Sequence, residues 1–255
     1  MPEGDVVWYT ARRLHQALAG RTLIRSDFRV PRLATADLSG DVVTEAVSRG
    51  KHLLVRTSGG MTVHTHLRME GSWRVRPAAE RVRDSHRIRL LLANEKWQAV
   101  GYQLGVVELL PTAEEERVTG HLGPDLLGSG WDSAEAVRRL TAEPERPIGE
   151  ALLDQRNLAG IGNLYKAEVL FLRGIDPWRT VGSVPDLAAV AELARRLLDA
   201  NKERIGQVTT GNWRRGEETW VYGRRGLPCR RCGTEIRAEG QQDRITYWCP
   251  SCQPL

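Results

Sequence analysis

The chain has 255 residues, enough for one large domain or two of ordinary size, either able to bury a core. Its 41% hydrophobic and 27% charged content is that of a globular chain, and no apolar run approaches the ~18 residues that would cross a membrane. The formal charge is +5 and the pI about 9.3, with lysine only at Lys51, Lys96, Lys166 and Lys202; this arginine-carried excess suits a polyanionic partner, and a GC-rich genome, which favours arginine codons, would give the same bias.

The chain opens Met1-Pro2-Glu3-Gly4-Asp5, acidic where a secretory leader would be basic and followed by no apolar segment, so no secretion is expected. Loss of Met1 would leave Pro2 as a secondary amine beside the Glu3 carboxylate. Such an amine forms an iminium with a carbonyl-like carbon, and a backbone amine titrates near ~8 against ~10.4 for lysine. Alone, the stretch equally fits an inert terminus. Residues 5–18 predict an amphipathic helix with Val7, Ala11, Leu14 and Leu18 on one face and Gly20 as cap. Asp5 in its first turn complements the helix dipole.

From about 21 to 110 the apolar period becomes two. Strands are expected at 22–29, 41–48, 51–57, 61–67, 72–76, 86–93 and 97–109, closely spaced as in an antiparallel sandwich or barrel. Arg49-Gly50-Lys51-His52 places a lysine at a glycine turn, fit for phosphate contact or proton transfer, or simply a surface lysine. His64 and His66 share a strand face; without a third ligand at useful spacing they read as structural or groove-lining. Trp8, Trp73, Trp97, Trp131 and Trp178 read as core residues, and Glu114-Glu115-Glu116 as a solvated surface. The pattern divides the chain into an N-terminal domain at 1–115, a loop-rich linker at 116–130, a helical domain at 131–222 and a cysteine-bearing tail at 223–255.

Helical patterns occupy 132–142, 147–154, 161–173 and 185–204. Between the second and third lies Asp154-Gln155-Arg156-Asn157-Leu158-Ala159-Gly160-Ile161-Gly162-Asn163. Its Gly-x-Gly turn, feeding a helix that starts near Ile161, offers backbone N–H groups and a dipole to a phosphate; an ordinary helical packing turn is the other reading. It follows a helix and lacks Gly-Lys-Ser/Thr, so it is no nucleotide P-loop. Cys229-x2-Cys232-x16-Cys249-x2-Cys252 has the spacing of a four-thiolate zinc site, closed and therefore structural. The loop between the pairs carries Arg237, Arg244, Tyr247 and Trp248, where an arginine serves as a phosphate clamp, a minor-groove probe, or only a solvated side chain.

Taken in order, these pieces resemble the formamidopyrimidine-DNA glycosylase and endonuclease VIII family over nearly the whole chain. The resemblance rests on Met1-Pro2-Glu3-Gly4, Arg49-Gly50-Lys51, His66-Leu67-Arg68-Met69-Glu70-Gly71-Ser72 and Gly123-Pro124-Asp125. It continues through Leu152-Leu153-Asp154-Gln155, Gly160-Ile161-Gly162-Asn163, Tyr222-Gly223-Arg224 and the four cysteines. It implies an α+β multidomain fold: an antiparallel β-sandwich with flanking helices, a helix–two-turn–helix domain and a zinc finger, with DNA held in the cleft between. It further implies a bifunctional glycosylase and abasic-site lyase, with Pro2 as nucleophile, Glu3 as acid–base group and Lys51 assisting elimination. Arg244, Gly162 and Asn163 would grip phosphate, and Arg68 and Met69 would fill the gap left by an everted base. One structural Zn2+ and no catalytic metal are expected.

The partner implied is damaged DNA, double-stranded and also single-stranded or bubble, met by a monomer in the cytoplasm at the nucleoid. Met-Pro-Glu-Gly leans to the endonuclease VIII branch and oxidised pyrimidines, as does Gly149 where the other branch often has lysine. Arg68, Glu70 and His121 depart from that branch's usual residues, so lesion and opposite base stay open. The rival from within the same fold is a DNA-damage or DNA-structure binder without turnover; an RNA-binding zinc-ribbon protein is the third possibility.

Overall fold

In the computed structural model, which describes residues 2–255, the chain begins with helix α1 (Gly4–Leu18). Val7, Ala11, Leu14 and Leu18 are buried along one face, and Gly20 leaves the helix at φ 72°, a left-handed conformation that favours glycine. Eight strands follow: β1 (Arg25–Phe28), β2 (Val43–Arg49), β3 (His52–Thr57), β4 (Met61–His66), β5 (Ser72–Pro77), β6 (Ile88–Ala93), β7 (Trp97–Tyr102) and β8 (Val106–Pro111). They form two antiparallel sheets, ordered β1-β6-β7-β5 and β2-β3-β4-β8. Leu53, Val55 and Val63 of one sheet, Leu90, Leu92 and Ala99 of the other, and Leu14 and Leu18 of α1 share one buried core. Each of the buried leucine and valine side chains contributes roughly 1.5–3 kcal/mol.

The run 97–109, expected as one strand, is two strands in different sheets. Gln103 turns the chain with φ 47°, Leu104 plugs the core, and Gly105 admits the Arg68 side chain, whose Cγ lies 2.1 Å from where a Cβ would stand. The tryptophans expected in the core are half-buried at its margins, as suits a ring with an N–H to satisfy. Trp73 Nε1 donates to Thr65 Oγ1 at 3.3 Å and Trp131 Nε1 to Glu192 Oε2 at 3.3 Å. Nor is Glu115 simply solvated, since it accepts from Arg56 Nε at 2.7 Å and from Thr62 Oγ1 at 2.6 Å. Burial alone would push its carboxyl up; the bonds from Arg56 and Thr62 outweigh that and hold it below the usual range.

The backbone divides into one compact unit ending at His121 and another running from Leu122 to Leu255. Residues 116–130 hold the short helix α2 (Glu116–Thr119) and the buried Leu122 and Leu126. The second unit packs α3 (Ser133–Leu140), α4 (Ile148–Leu153), α5 (Asn163–Arg173) and α6 (Leu187–Asn201) around Leu140, Ile148, Leu152, Tyr165, Leu170 and Leu198. Asp132 caps α3 by accepting from Ala134 N and Glu135 N, and Asp186 caps α6 by accepting from Ala189 N at 2.8 Å. The hairpin of β9 (Arg237–Gln241) and β10 (Arg244–Trp248) completes the unit.

Candidate active site and nucleic-acid interface

Glu3 is the N-cap of α1, extended at φ −121° and fully buried, and its carbonyl accepts from Val7 N at 3.1 Å. Asp5, in the first turn, is also buried. Acidic side chains at a helix N-terminus are favoured by its dipole. Pro2, half-buried, sits immediately ahead of them, so a nucleophile at its nitrogen has a carboxylate next to it in the chain. Met1, whose removal the sequence reading requires, lies outside the described residues.

Gly50 and Lys51 are the two central residues of the turn joining β2 to β3, because Arg49 pairs with His52. Gly50 has φ 56°, as tight two-residue hairpins demand. The same register sets His52 opposite His66, and β8 places Glu108 opposite His64. Sequence reading singled out His64 and His66 but missed their assembly. His52 Nδ1 lies 2.9 Å from His64 Nε2, and His64 Nδ1 lies 2.8 Å from Glu108 Oε2. A carboxylate only accepts, so His64 donates to Glu108 from Nδ1, and one proton bridges His64 Nε2 and His52 Nδ1. The His52 ring also meets His66 and His121 edge-on, at centroid distances of 5.3 Å and 5.9 Å.

Burial, with His64, His66, His121 and Arg68 adding repulsion, pushes His52 down to about 3. Burial, then Arg68 and Lys51, push His66 down to about 4. Those two rings are therefore neutral at neutral pH, beside the cationic side chains of Lys51 and Arg68. His66 Nδ1 accepts from Arg68 N at 3.0 Å, fixing the start of the next loop. That loop closes by Gly71 N donating to the Leu67 carbonyl at 2.9 Å; Arg68 holds φ 55°, and Met69 stands 58% exposed at its tip. Placed there, Met69 is an accessible apolar side chain on a constrained turn.

In the second unit the α4–α5 turn is organised by Gln155. Its Nε2 donates to the carbonyls of Leu153 at 2.9 Å and Ile161 at 3.0 Å, and its Oε1 accepts from Gly160 N at 3.0 Å. With Ile161 so held and Gly162 extended, α5 begins at Asn163 rather than near Ile161. Gly123 is needed beside the turn, since a Cβ there would stand 2.5 Å from the Arg156 carbonyl. Asn163 Nδ2 donates to the Ile245 carbonyl at 2.8 Å, while its buried Oδ1 has no hydrogen-bond partner among the described residues. The tie brings the N-terminus of α5 to β10, where Arg244 is exposed with its Nε 3.5 Å from Asp243 Oδ2. Gly162, Asn163 and Arg244 thus gather in one place; Arg237 lies at the far end of the hairpin, opposite Trp248.

The four cysteine Sγ atoms lie within 4.8 Å of one another, with Cys229 to Cys252 at 3.9 Å and Cys232 to Cys249 at 3.5 Å. A tetrahedron with Zn–S of ~2.3 Å has edges of about 3.8 Å, so the donor set and its spacing fit one zinc ion. Arg231 N and Cys252 N donate to Cys229 Sγ and Cys249 Sγ, as knuckle amides do to thiolates. Among the described residues no other group of three or more His, Cys, Asp or Glu is so arranged.

Glu168, which sequence reading also missed, is a fully buried carboxylate on α5 that accepts from the backbone N–H groups of Trp220, Val221 and Tyr222 at 2.8–2.9 Å and from Thr209 Oγ1. Burial pushes its carboxyl up. Arg224 donates to the carbonyls of Trp220 at 2.6 Å and Pro228 at 2.9 Å. Together they explain Tyr222-Gly223-Arg224 as the joint that leads the chain into the cysteine tail. No sequence signal marked Glu168, because a helix enclosed on all sides has no polar face for an acidic residue to depart from.

Three family models match the chain in succession: the formamidopyrimidine-DNA glycosylase N-terminal domain over residues 1–101, the H2TH domain of the same enzymes over 122–209, and a zinc finger found in FPG and IleRS over 226–255. Among curated proteins, the chain is 56% identical to a probable endonuclease 8 2 of Streptomyces coelicolor, covering 99% of this chain and 94% of that protein. It is 48% identical to a DNA-(apurinic or apyrimidinic site) lyase Nei2 of Mycolicibacterium smegmatis, covering 99% of each. Among solved structures it resembles the Lactococcus lactis formamidopyrimidine-DNA glycosylase bound non-covalently to DNA containing an abasic site. The TM-score there is 0.84 at 25% identity, over 99% of this chain and 100% of that one.

Proposed function

The chain belongs to the formamidopyrimidine-DNA glycosylase and endonuclease VIII family, and from that premise we infer that it is a bifunctional DNA glycosylase and abasic-site lyase of base-excision repair, directed to oxidised pyrimidines. The observation that carries the reading is Pro2 standing beside the buried Glu3 carboxylate at the start of a rigid helix. With its nitrogen free, Pro2 attacks C1′ of the damaged nucleoside, the C1′–N bond breaks, and the base leaves with a proton. The Pro2 nitrogen lone pair then forms the C=N bond as C1′–O4′ breaks and O4′ takes a proton by way of Glu3, leaving the ring-opened sugar as an iminium on Pro2. Its positive nitrogen acidifies C2′–H, so loss of that proton expels the 3′ phosphate, and a second elimination expels the 5′ phosphate.

Glu3 moves protons at the sugar and base, and Lys51 balances phosphate charge as each bond breaks. Gly162, Asn163 and Arg244 hold the backbone, while Arg68 and Met69 occupy the space of the everted nucleotide. The four cysteines hold one structural zinc ion, which fixes the hairpin bearing Arg244 and takes no part in bond breaking. The protein acts as a monomer in the cytoplasm, on duplex and on single-stranded or bubble DNA. No helix among the described residues is long and apolar enough to cross a membrane.

The test is borohydride trapping with DNA containing 5,6-dihydrouracil or an abasic site. The untagged protein is expected to give a covalent adduct and cut strands. The same chain with a retained N-terminal tag is expected to bind without trapping. An adduct with the tagged protein would move the nucleophile to a lysine; salt-sensitive binding with no adduct in either form would make the protein a binder without turnover.

A further inference from the structure

Lys166 lies on α5, three residues after Asn163, and is completely buried. Removing an ammonium from water is costly unless it is bonded. Its Nζ donates to Thr246 Oγ1 at 2.6 Å, and Thr246 Oγ1 donates to Gln241 Oε1 at 2.9 Å. Gln241 Nε2 in turn donates to the Pro177 carbonyl at 3.0 Å. Gln241 is the direct cross-strand partner of Arg244, and Thr246 follows Arg244 by two, so strand alternation puts all three on one face of the hairpin.

Residues three apart on a helix share a face and are about 4.5 Å apart along the axis. Asn163 and Lys166 thereby hold two successive residues of β10: Asn163 the Ile245 carbonyl, Lys166 the Thr246 hydroxyl. The hairpin tip is also tied by Gln242 Nε2 donating to Glu150 Oε2 on α4. Arg244 itself is exposed, beside the adjacent and exposed Asp243. Its placement relative to the N-terminus of α5 is accordingly set by the strand beneath it.

We propose that Lys166 is a positioning residue for phosphate capture: acting through Thr246, it holds the Arg244 hairpin in register with the N-terminus of α5, so that guanidinium and helix N–H groups close on one DNA backbone segment. The inference rests on the reading of Gly162, Asn163 and Arg244 as a phosphate grip. A link of this kind adds little net stability and chiefly fixes one arrangement, because neutral packing of equal volume stabilises as well or better.

The test measures affinity for DNA bearing a tetrahydrofuran abasic analogue across a salt series, with KM and kcat on a cleavable lesion and zinc content as a check on the fold. Arg244→Ala is expected to weaken binding about tenfold and to lower the salt slope by about one. Lys166→Met, which keeps the stem and drops the charge, and Thr246→Val, which keeps the shape and drops the hydroxyl, are each expected to weaken binding severalfold. The change should fall on KM with kcat held and zinc at one ion per chain. Thr246→Ser restores the hydroxyl and should restore affinity. Adding Lys166→Met to Arg244→Ala should cost less than twofold more, because the two act as a unit.

The proposal is overturned if Lys166→Met binds as the parent does, if its loss adds in full to that of Arg244→Ala, or if Thr246→Val and Thr246→Ser behave alike. Should Lys166→Met lose zinc, the Thr246 pair decides on the same readouts. Failure of the underlying reading looks different: the unaltered protein would not bind the abasic analogue, or Arg244→Ala would leave affinity and salt slope untouched.

Discussion

His52 and His66 make the N-terminal unit sensitive to acid. In the unfolded chain both titrate near ~6.5; in the fold burial and neighbouring positive charge hold them at about 3 and about 4. As pH falls below ~6.5 the unfolded chain therefore takes up protons that the folded chain refuses, which favours unfolding. Their contribution is complete above pH ~6.5 and is lost progressively towards pH 4. The groups facing them are His64, His121, Lys51 and Arg68, with Glu108 and then Glu115 beyond His64, so His52 has more positive charge than negative close by. We expect the thermal midpoint to drop between pH 6.5 and 4.5, and His52→Phe to flatten that drop. An equal drop in both proteins would mean that the His52 ring charges inside the fold. The array was partly legible: a two-residue Gly50-Lys51 turn forces the pairing of Arg49 with His52, and counting on across the next turn brings His52 opposite His66. Glu108 and His121 were not legible, because they arrive from β8 and from the end of the unit, at sequence distances that no local pattern spans.

Among the elements, α5 carries more than its sequence pattern announces. Its periodicity was readable; the helix ends at Gly174, which takes φ 68°. Its start was not, because Gln155 holds the Ile161 carbonyl in the turn and delays the first helical residue to Asn163. Nor was it visible that the helix buries both Lys166 and Glu168, since a helix enclosed on all sides has lost the polar face that periodicity relies on. Glu168 organises residues 209–222 through two carboxylate oxygens, one accepting from Val221 N and Tyr222 N, the other from Trp220 N and Thr209 Oγ1. Glutamine of the same shape has one acceptor, and its NH2 must face an N–H or hydroxyl donor in either orientation. Glu168→Gln is therefore expected to destabilise the second unit by roughly 1–3 kcal/mol, the usual cost of a buried donor left unbonded. The check is the urea midpoint at constant slope; a change below ~0.5 kcal/mol would mean that the segment is held by other contacts. The division of 97–109 into β7 and β8 was hidden for a comparable reason: alternation runs through the break, and only the approach of Arg68 over Gly105 reveals it.

At the scale of the whole molecule, four cysteines in two close pairs were enough to locate the zinc site, because the geometry of a tetrahedral thiolate cluster is nearly a property of spacing. What the spacing left out is how the ribbon is tied to its unit. Cys229, Cys249 and Ile236 pack with Ala167 and Phe171 of α5 and with Val221, and the Arg231 guanidinium lies 4.6 Å from the Phe171 ring centroid. Apolar contacts of this kind stabilise the ribbon only while zinc holds the knuckles in place, since metal binding and folding of such a small element are one process. The sheets around Leu53, Leu90 and Ala99 belong to the other compact unit and share none of these contacts. Chelation is thus expected to unfold residues 223–255 and expose the Phe171 side of α5, leaving the N-terminal unit folded. Limited proteolysis after chelation should cut within the tail and spare residues 2–121, and affinity for abasic DNA should fall by at least the loss seen with Arg244→Ala, because the hairpin carrying that arginine is lost with the ribbon. Readdition of zinc should restore both. Equal protection of the tail with and without chelator would show that the α5 contacts alone hold the ribbon, and simultaneous digestion of both units would show that the molecule unfolds as one.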